Sequence, residues 1–509
     1  MPLARAVAAT PWGIEARRVD VEVDLRNGLP QVQIVGLPDA AVRESRERVR
    51  AAIKNCGFDL PPRAVTINLA PADLRKEGNH LDLAIALALL AAHGQVAQEA
   101  LDGRLLCGEL GLDGSVRSVR GGLAIADLGT RLQAREVLLP SANAGEAAAL
   151  GSVPVIPLAG LADAIEHLLA RRPLGLAAPP AGAPPAPLES LDLAEVRGQE
   201  GAKRALEIAA AGGHNLLFIG PPGSGKTMLA QRLPGLPPAL SLPESIAVTK
   251  IQSLVAERSP GGLVWRRPFR SPHPGISAAG MVGGGPQPRP GEASLAHAGV
   301  LFLDELPEFH RDALEALRQP LEEGRIAVVR ARAALHFPAR FALLAAMNPC
   351  PCGHLGDPRR ECRCPPGLVE RHRARVSGPL LDRIDLHVEV PAVTLGELRG
   401  RSGEGTGAVA ARVAAARAVQ AARLHDPRGL ALPCNASLDA AAIRRHCRLD
   451  AAAQALLDRA FERLGLSARA LTRILKVART IADLGASGAI RAAHLAEAIQ
   501  YRTLDRRLG

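Results

Sequence analysis

Hydrophobic and polar positions change rhythm three times along this chain. Between residues 14 and 70 the runs VDVEVDLR and PQVQIVGLP alternate apolar with polar side chains, the two-residue period of strands with one buried face. They bracket ESRERVRAAIKNCG, whose apolar positions recur at helical spacing and stop at Gly57. The stretch RAVTINLAPADLRKEGNHLDLAIALALLAAHG then predicts a strand, a loop and a buried helix ending at Gly94. LLCGELGLDGSVRSVRG and REVLLPSANAGEAAALG complete a mixed α/β unit over residues 1–172. From 191 to 395 strand and helix patterns alternate, which predicts a doubly wound parallel sheet. Over 396–509 the period is almost wholly helical, as in AVAARVAAARAVQAARL and ARALTRILKVARTIADL, and predicts a helical lid or bundle.

Composition sharpens this division. Residues 173–190, PLGLAAPPAGAPPAPLES, are rich in Pro, Ala and Gly with little charge, as expected of a semi-rigid linker. At about 150 residues per domain, a chain of 509 residues fits two to four domains. Aromatic residues make up only 2%, so the cores must be built from Ala, Leu, Val and Ile. Lys and Arg outnumber Asp and Glu by 62 to 51, a formal net charge of +11. That balance suits a polyanionic partner such as nucleic acid, although an Ala-, Arg- and Leu-rich composition also follows from GC-rich coding. The apolar run LDLAIALALLAA has the length of a core helix, not of a membrane span. The N-terminus lacks the apolar stretch and cleavage site of a signal peptide, so a cytoplasmic location without a membrane partner is expected.

Chemistry is concentrated in the second unit. Gly220, Pro221, Pro222, Gly223, Ser224, Gly225, Lys226 and Thr227 form G-x-x-x-x-G-K-[ST] between the apolar run NLLFIG and a helix beginning near Thr227. Glycines in such a loop turn backbone N–H groups onto phosphates, the lysine neutralises β/γ charge, and the threonine hydroxyl ligates Mg²⁺. ATP and Mg²⁺ are the expected cofactors. Downstream, GVLFLDELPEF ends an apolar strand at Asp304, placed to hold the Mg²⁺ shell, and Glu305, placed to polarise the attacking water. FALLAAMNP ends a third strand at Asn348, whose amide is suited to orient that water or the γ-phosphate. These tips are expected to converge at the carboxyl edge of the sheet.

Cys350, Cys352, Cys362 and Cys364 form C-x-C-x₉-C-x-C within an insertion at 350–364. Four thiolates suit tetrahedral Zn²⁺, but C-x-C is a tighter chelate than the usual C-x₂-C, and reduced, unliganded cysteines remain the alternative.

GPPGSGKT, VLFLDE, AAMNP and LLDRIDLH, in that order and followed by helices, resemble an AAA+ ATPase. FRSPHPGISAAGMVGGGPQPRPGEASLAHAGVLFLDELPEF and NPCPCGHLGDPRRECRCPP resemble the magnesium-chelatase-like YifB/ComM family, over essentially the whole chain. The resemblance implies that Arg383 is an arginine finger reaching into the next subunit, that Arg469 is the sensor arginine of the lid, and that the chain forms a homo-oligomer, expected as a hexamer. RAVTINLAPADLRKEGNHLDLAIALALL and GSVRSVRGGLAIADL resemble the Lon proteolytic domain of ribosomal-S5-like fold. His80 and Ala124 stand where that domain has its catalytic Ser and Lys, so peptidase activity is not expected.

Two functions are expected to compete. One is a ring motor on single-stranded or branched DNA, which the resemblance implies for branch migration in recombination and natural transformation. The other is a chelatase-like or remodelling ATPase acting on a protein. GRIAVVRARAALHFPARF reads as two short strands carrying Arg325, Arg330, Arg332 and Arg340, and the first three are the DNA-contact candidates. Arg266, Arg267 and Arg270 make a second basic stretch that could also face a pore.

Overall fold

A computed structural model describes residues 3–60, 62–76, 78–179, 191–255, 262–284, 289–330, 333–357, 360–400, 402–424 and 434–502. The N-terminal unit is a seven-stranded mixed sheet in the order Gln31–Val35, Ala64–Ala70, Glu15–Arg26, Leu3–Trp12, Arg104–Leu106, Glu136–Pro140, Val155–Leu158. Alternation in VDVEVDLR puts Val19, Val21, Val23 and Leu25 into the core while the intervening residues stay partly exposed. Helix Ala40–Asn55 is capped by Asp39 and ends at Cys56, and helix Asp82–Ala92 buries ten of its eleven residues. The first strand, Leu3–Trp12, pairs antiparallel with Glu15–Arg26 and parallel with Arg104–Leu106, so it lies in the middle of the sheet. Its Ala-rich sequence hides that position from a hydrophobicity reading.

Part of the expected linker is docked. Leu174 N–H donates to His167 Nδ1 at 2.9 Å and Ala177 N–H to the Val155 carbonyl at 2.8 Å. Leu174 and Ala177 also pack on the N-terminal core, which explains why the unit continues past residue 172. The remainder of that segment, 180–190, lies outside the described residues.

The second unit carries a five-stranded parallel sheet in the order Phe269–Arg270, Val300–Leu303, Ala342–Met347, Leu216–Ile219, Leu386–Glu389. Its central strands are buried on both faces, so they read as continuous apolar runs without alternation. Leu216 and Phe218 enter one core, whereas Leu217 and Ile219 enter another on the opposite face. The first of these cores is shared with helices Thr406–Arg423, Ala451–Leu464, Ala468–Leu484 and Ala492–Gln500. Buried polar contacts reinforce that packing: His214 Nε2 lies 2.8 Å from Thr480 Oγ1, and Asp483 pairs with Arg423 at 2.6 Å and Arg479 at 2.9 Å. Among the described residues, no helix is long and apolar enough to cross a membrane.

Candidate active site

Parallel register fixes where the phosphate loop emerges. Ile219 stands beside Met347 and Leu303 beside Ala345, so Gly220, Asp304 and Asn348 leave adjacent strands at the same edge. Gly220 is needed because a Cβ there would fall 2.0 Å from the Val390 carbonyl oxygen. Gly223 and Gly225 turn the loop with φ of +75° and +92°. Helix Lys226–Arg232 follows.

At this edge the expected residues are tied together. The buried Lys226 donates from Nζ to the carbonyls of Gly220 at 2.7 Å and Pro221 at 2.8 Å, and to Asn348 Oδ1 at 3.2 Å. Burial pulls its pKa below the usual lysine range, against the opposing pull of Asp304 and Glu305. Thr227 Oγ1 donates to Asp304 Oδ2 at 2.7 Å, placing one hydroxyl and one carboxylate as a pair of hard oxygen donors. Glu305 adopts φ +53°, a left-handed conformation uncommon outside glycine, and its side chain stands exposed beside that pair. Thus one cation, a hydroxyl and a carboxylate oxygen suited to a divalent metal, one exposed carboxylate and one amide share the site. That set is what phosphoryl transfer to water requires.

Arg383 is buried, donating to the Pro379 carbonyl at 2.5 Å and pairing with Glu322 of its own chain. Arg469 lies exposed in the first turn of helix Ala468–Leu484. One turn further on is Arg473, which the sequence reading missed. Its guanidinium bonds the Asp385 carboxylate and the Arg383 carbonyl, the latter at 3.1 Å. Asp385 also accepts from the Asn215 N–H at 3.1 Å and lies 3.4 Å from His214 Nδ1. Burial pushes the Asp385 carboxyl up, but Arg473 and His214 outweigh it and hold it well below the usual range. The segment bearing Arg383 and the helix bearing Arg469 are therefore joined by one ionic cluster. Its only sequence signal is the four-residue spacing of Arg469 and Arg473, which puts both on one helix side.

The basic segments divide. Strands Arg325–Arg330 and Ala333–Pro338 pair antiparallel, with Ile326 and Phe337 buried. Arg325 is exposed and 3.4 Å from Glu323, Arg330 stands opposite Ala333, and Arg332 lies outside the described residues. Leu335, Phe337 and Arg340 line a cleft of about 550 Å³ with Trp12 and Arg17 of the N-terminal unit. The second stretch departs from expectation. Arg267 is held by Glu244 at 3.3 Å and by the carbonyls of Pro238 and Ala298, and Arg270 forks onto Glu292 at 2.6 and 2.7 Å. Each acid pairs with its arginine, and Arg266 is the most exposed residue of that trio.

In the N-terminal unit, His80 is buried, its Nε2 has no partner among the described residues, and burial pushes its pKa down to about 4. Ala124 is buried in helix Gly122–Arg131. A further residue, Lys76, is buried and bonded to the Pro71 carbonyl, which is an acceptor and no nucleophile. Burial alone does not make a lysine catalytic.

The four cysteines do come together. Cys350, Cys352, Cys362 and Cys364 offer sulfurs that all lie within 4.8 Å of one another, with Cys350 buried. Cys350 is 3.4 Å from Cys352 and 3.7 Å from Cys362, and Cys352 is 3.7 Å from Cys362. A tetrahedral ion with Zn–S bonds of about 2.3 Å sets its sulfurs about 3.8 Å apart, so the donor set fits Zn²⁺. His354 instead faces Asp357 at 3.4 Å.

Three family models match the chain in consecutive blocks. They are described as subunit ChlI of Mg-chelatase over residues 21–143, magnesium chelatase subunit ChlI over 192–398, and its C-terminal part over 403–502. The uncharacterized protein YifB of Escherichia coli (strain K12) is 45% identical over 97% of this chain and 96% of its own length. Competence protein ComM of Haemophilus influenzae is 44% identical over 100% of this chain and 99% of its own. Lon protease 2 of Bacillus subtilis is 29% identical over 141 residues, 26% of this chain and 25% of its own.

Proposed function

This chain belongs to the YifB/ComM family of magnesium-chelatase-like AAA+ ATPases, and from that premise we propose that it is a ring motor that hydrolyses ATP to act on DNA, a helicase promoting branch migration in recombination and natural transformation. The observation that carries the ATPase part is the hydrogen-bonded convergence of Lys226, Thr227, Asp304 and Asn348 at one strand edge. Lys226 exchanges its loop carbonyls for phosphate oxygens. Thr227 and Asp304 would hold Mg²⁺, which when bound would supply positive charge against the phosphates. Glu305, exposed and without an ion pair among the described residues, takes the proton of the attacking water, and Asn348 fixes the geometry. Arg469, exposed at the start of its helix, reaches the nucleotide of its own subunit. Arg383 serves the neighbouring subunit after release from Glu322, a role that needs head-to-tail assembly and a ring, taken as a hexamer. The four thiolates hold a structural Zn²⁺, the helices after 400 form the lid, and the Lon-like N-terminal unit, without a Ser–Lys dyad, is a cytoplasmic binding module.

DNA as the substrate is supported by the net charge of +11, the exposed Arg325 and the similarity to a competence protein. The scarcity of aromatic residues favours backbone tracking over base reading. A second reading, an ATPase remodelling a protein partner, is favoured by the internal pairing of Arg267 and Arg270. Steady-state hydrolysis with single-stranded, duplex and four-way-junction DNA at two salt concentrations separates them, with Lys226→Ala as the blank. Salt-sensitive stimulation by DNA is expected, and an ATPase indifferent to DNA would leave the remodelling reading.

A further inference from the structure

The cysteine cluster and the phosphate loop touch each other. Gly353 closes the first turn of the cluster, its N–H donating to the Cys350 carbonyl at 2.9 Å with φ +82°. A Cβ at Gly353 would fall 2.5 Å from Pro222 Cδ and 2.8 Å from Pro222 Cγ, so the turn lies directly against the phosphate loop. The same segment begins at Asn348, which receives Lys226 on its side chain, while its carbonyl lies 3.2 Å from His372 Nε2. On the other side the loop is tied to the sheet by Gly220 N–H bonding the Met347 carbonyl at 3.2 Å. The phosphate loop is thus bounded by a rigid strand at one flank and by the cysteine turn at the other.

From this contact the geometry points to a metal-dependent wall: Zn²⁺ bound by Cys350, Cys352, Cys362 and Cys364 fixes the turn at Gly353 against Pro222, and so sets the affinity of the phosphate loop for nucleotide. The inference rests on the zinc reading of the four cysteines. Four thiols without a metal make only weak contacts with one another, whereas a tetrahedral ion locks all four positions at once. Gly353 is a positioning residue here, because it acts on phosphate only through Pro222. Its left-handed φ and the missing Cβ are both needed for the approach. Coupling of this kind is reciprocal, so bound nucleotide must tighten zinc binding at equilibrium by the factor that zinc tightens nucleotide binding.

The test uses the full chain in reducing buffer, with zinc content measured by atomic absorption and fluorescent mant-ADP titrated in excess magnesium. One zinc per chain is expected. Stripping it with a zinc-selective chelator should weaken mant-ADP binding at least about fivefold, the lower end of ordinary coupling between two sites, and zinc should restore it. Gly353→Ala should keep its zinc and still bind mant-ADP more weakly. If that variant does not fold, the stripped and reloaded wild-type chain decides alone. Stoichiometric zinc with unchanged mant-ADP affinity after stripping overturns the coupling and leaves the zinc site standing. A chain that binds no zinc overturns both.

Discussion

The two α/β units bury ionisable groups in different ways. In the N-terminal unit Lys76, His80 and Asp82 lie inside a continuous mixed sheet and its helices, and their partners are a loop carbonyl, unpartnered space at Nε2, and the Ser45–Arg48 pair. In the second unit Lys226, Asp304 and Asn348 lie where parallel strands end together, with Glu305 open to solvent. The first arrangement has burial without convergence; the second has convergence with an open side. Perturbed groups become a candidate site only when the fold also leaves room for a substrate between them.

The sharpest way to break this contrast is to change one group in each unit. Glu305→Gln should lower steady-state ATP hydrolysis by about 10²–10⁴-fold, the usual range for loss of a positioned base, while mant-ATP binding stays unchanged. A variant that keeps hydrolysing would place the base elsewhere. Asp385→Asn comes next, because it strands Arg473 and His214 in a buried setting; a destabilisation of about 3 kcal/mol is expected, read as a lower melting temperature of the second unit.

His80 supplies the counterpart. Its folded pKa of about 4 lies below the ordinary histidine value near 6.5, so the unfolded chain takes up the proton first. The stabilising contribution is therefore complete above about pH 6.5 and is lost as pH falls towards 4, up to about 3 kcal/mol. His297, partly buried beside Arg340, has its pKa pushed down to about 4 by desolvation and titrates in the same window within the second unit. The readout is thus the difference in acid sensitivity between wild type and His80→Gln, followed by thermal melts from pH 7 to 4, with ATPase at pH 7.5 within twofold of wild type. The smallest effect is expected at Arg325→Ala, which should reduce the salt slope of DNA binding by about 1. An unchanged slope would remove Arg325 from the DNA surface.

Much of the second unit was legible because its chemistry is local in sequence. A phosphate loop, a strand ending in Asp-Glu and a strand ending in Asn each carry their own signal, and parallel pairing brings them together. Arg473 was missed for the opposite reason: beyond its four-residue spacing from Arg469, its partners Asp385 and the Arg383 carbonyl are about ninety residues away. Arg267 and Arg270 read as free charge because Glu244 and Glu292 sit in other elements. The central strand Leu3–Trp12 went unread because alanines pack as well as valines in a crowded sheet yet score weakly. Cys-x-Cys spacing left the metal undecided, and only the three-dimensional approach of Cys362 to Cys350 supplies a tetrahedral donor set.

Lys226 has a consequence for which molecules the site admits. Its ammonium is already engaged by two carbonyls and one amide. A ligand must therefore offer enough negative oxygen to replace three hydrogen bonds before it gains anything. On the proposed reading that ligand is the phosphate chain of ATP, and until it enters, the loop's own carbonyls hold the lysine in place.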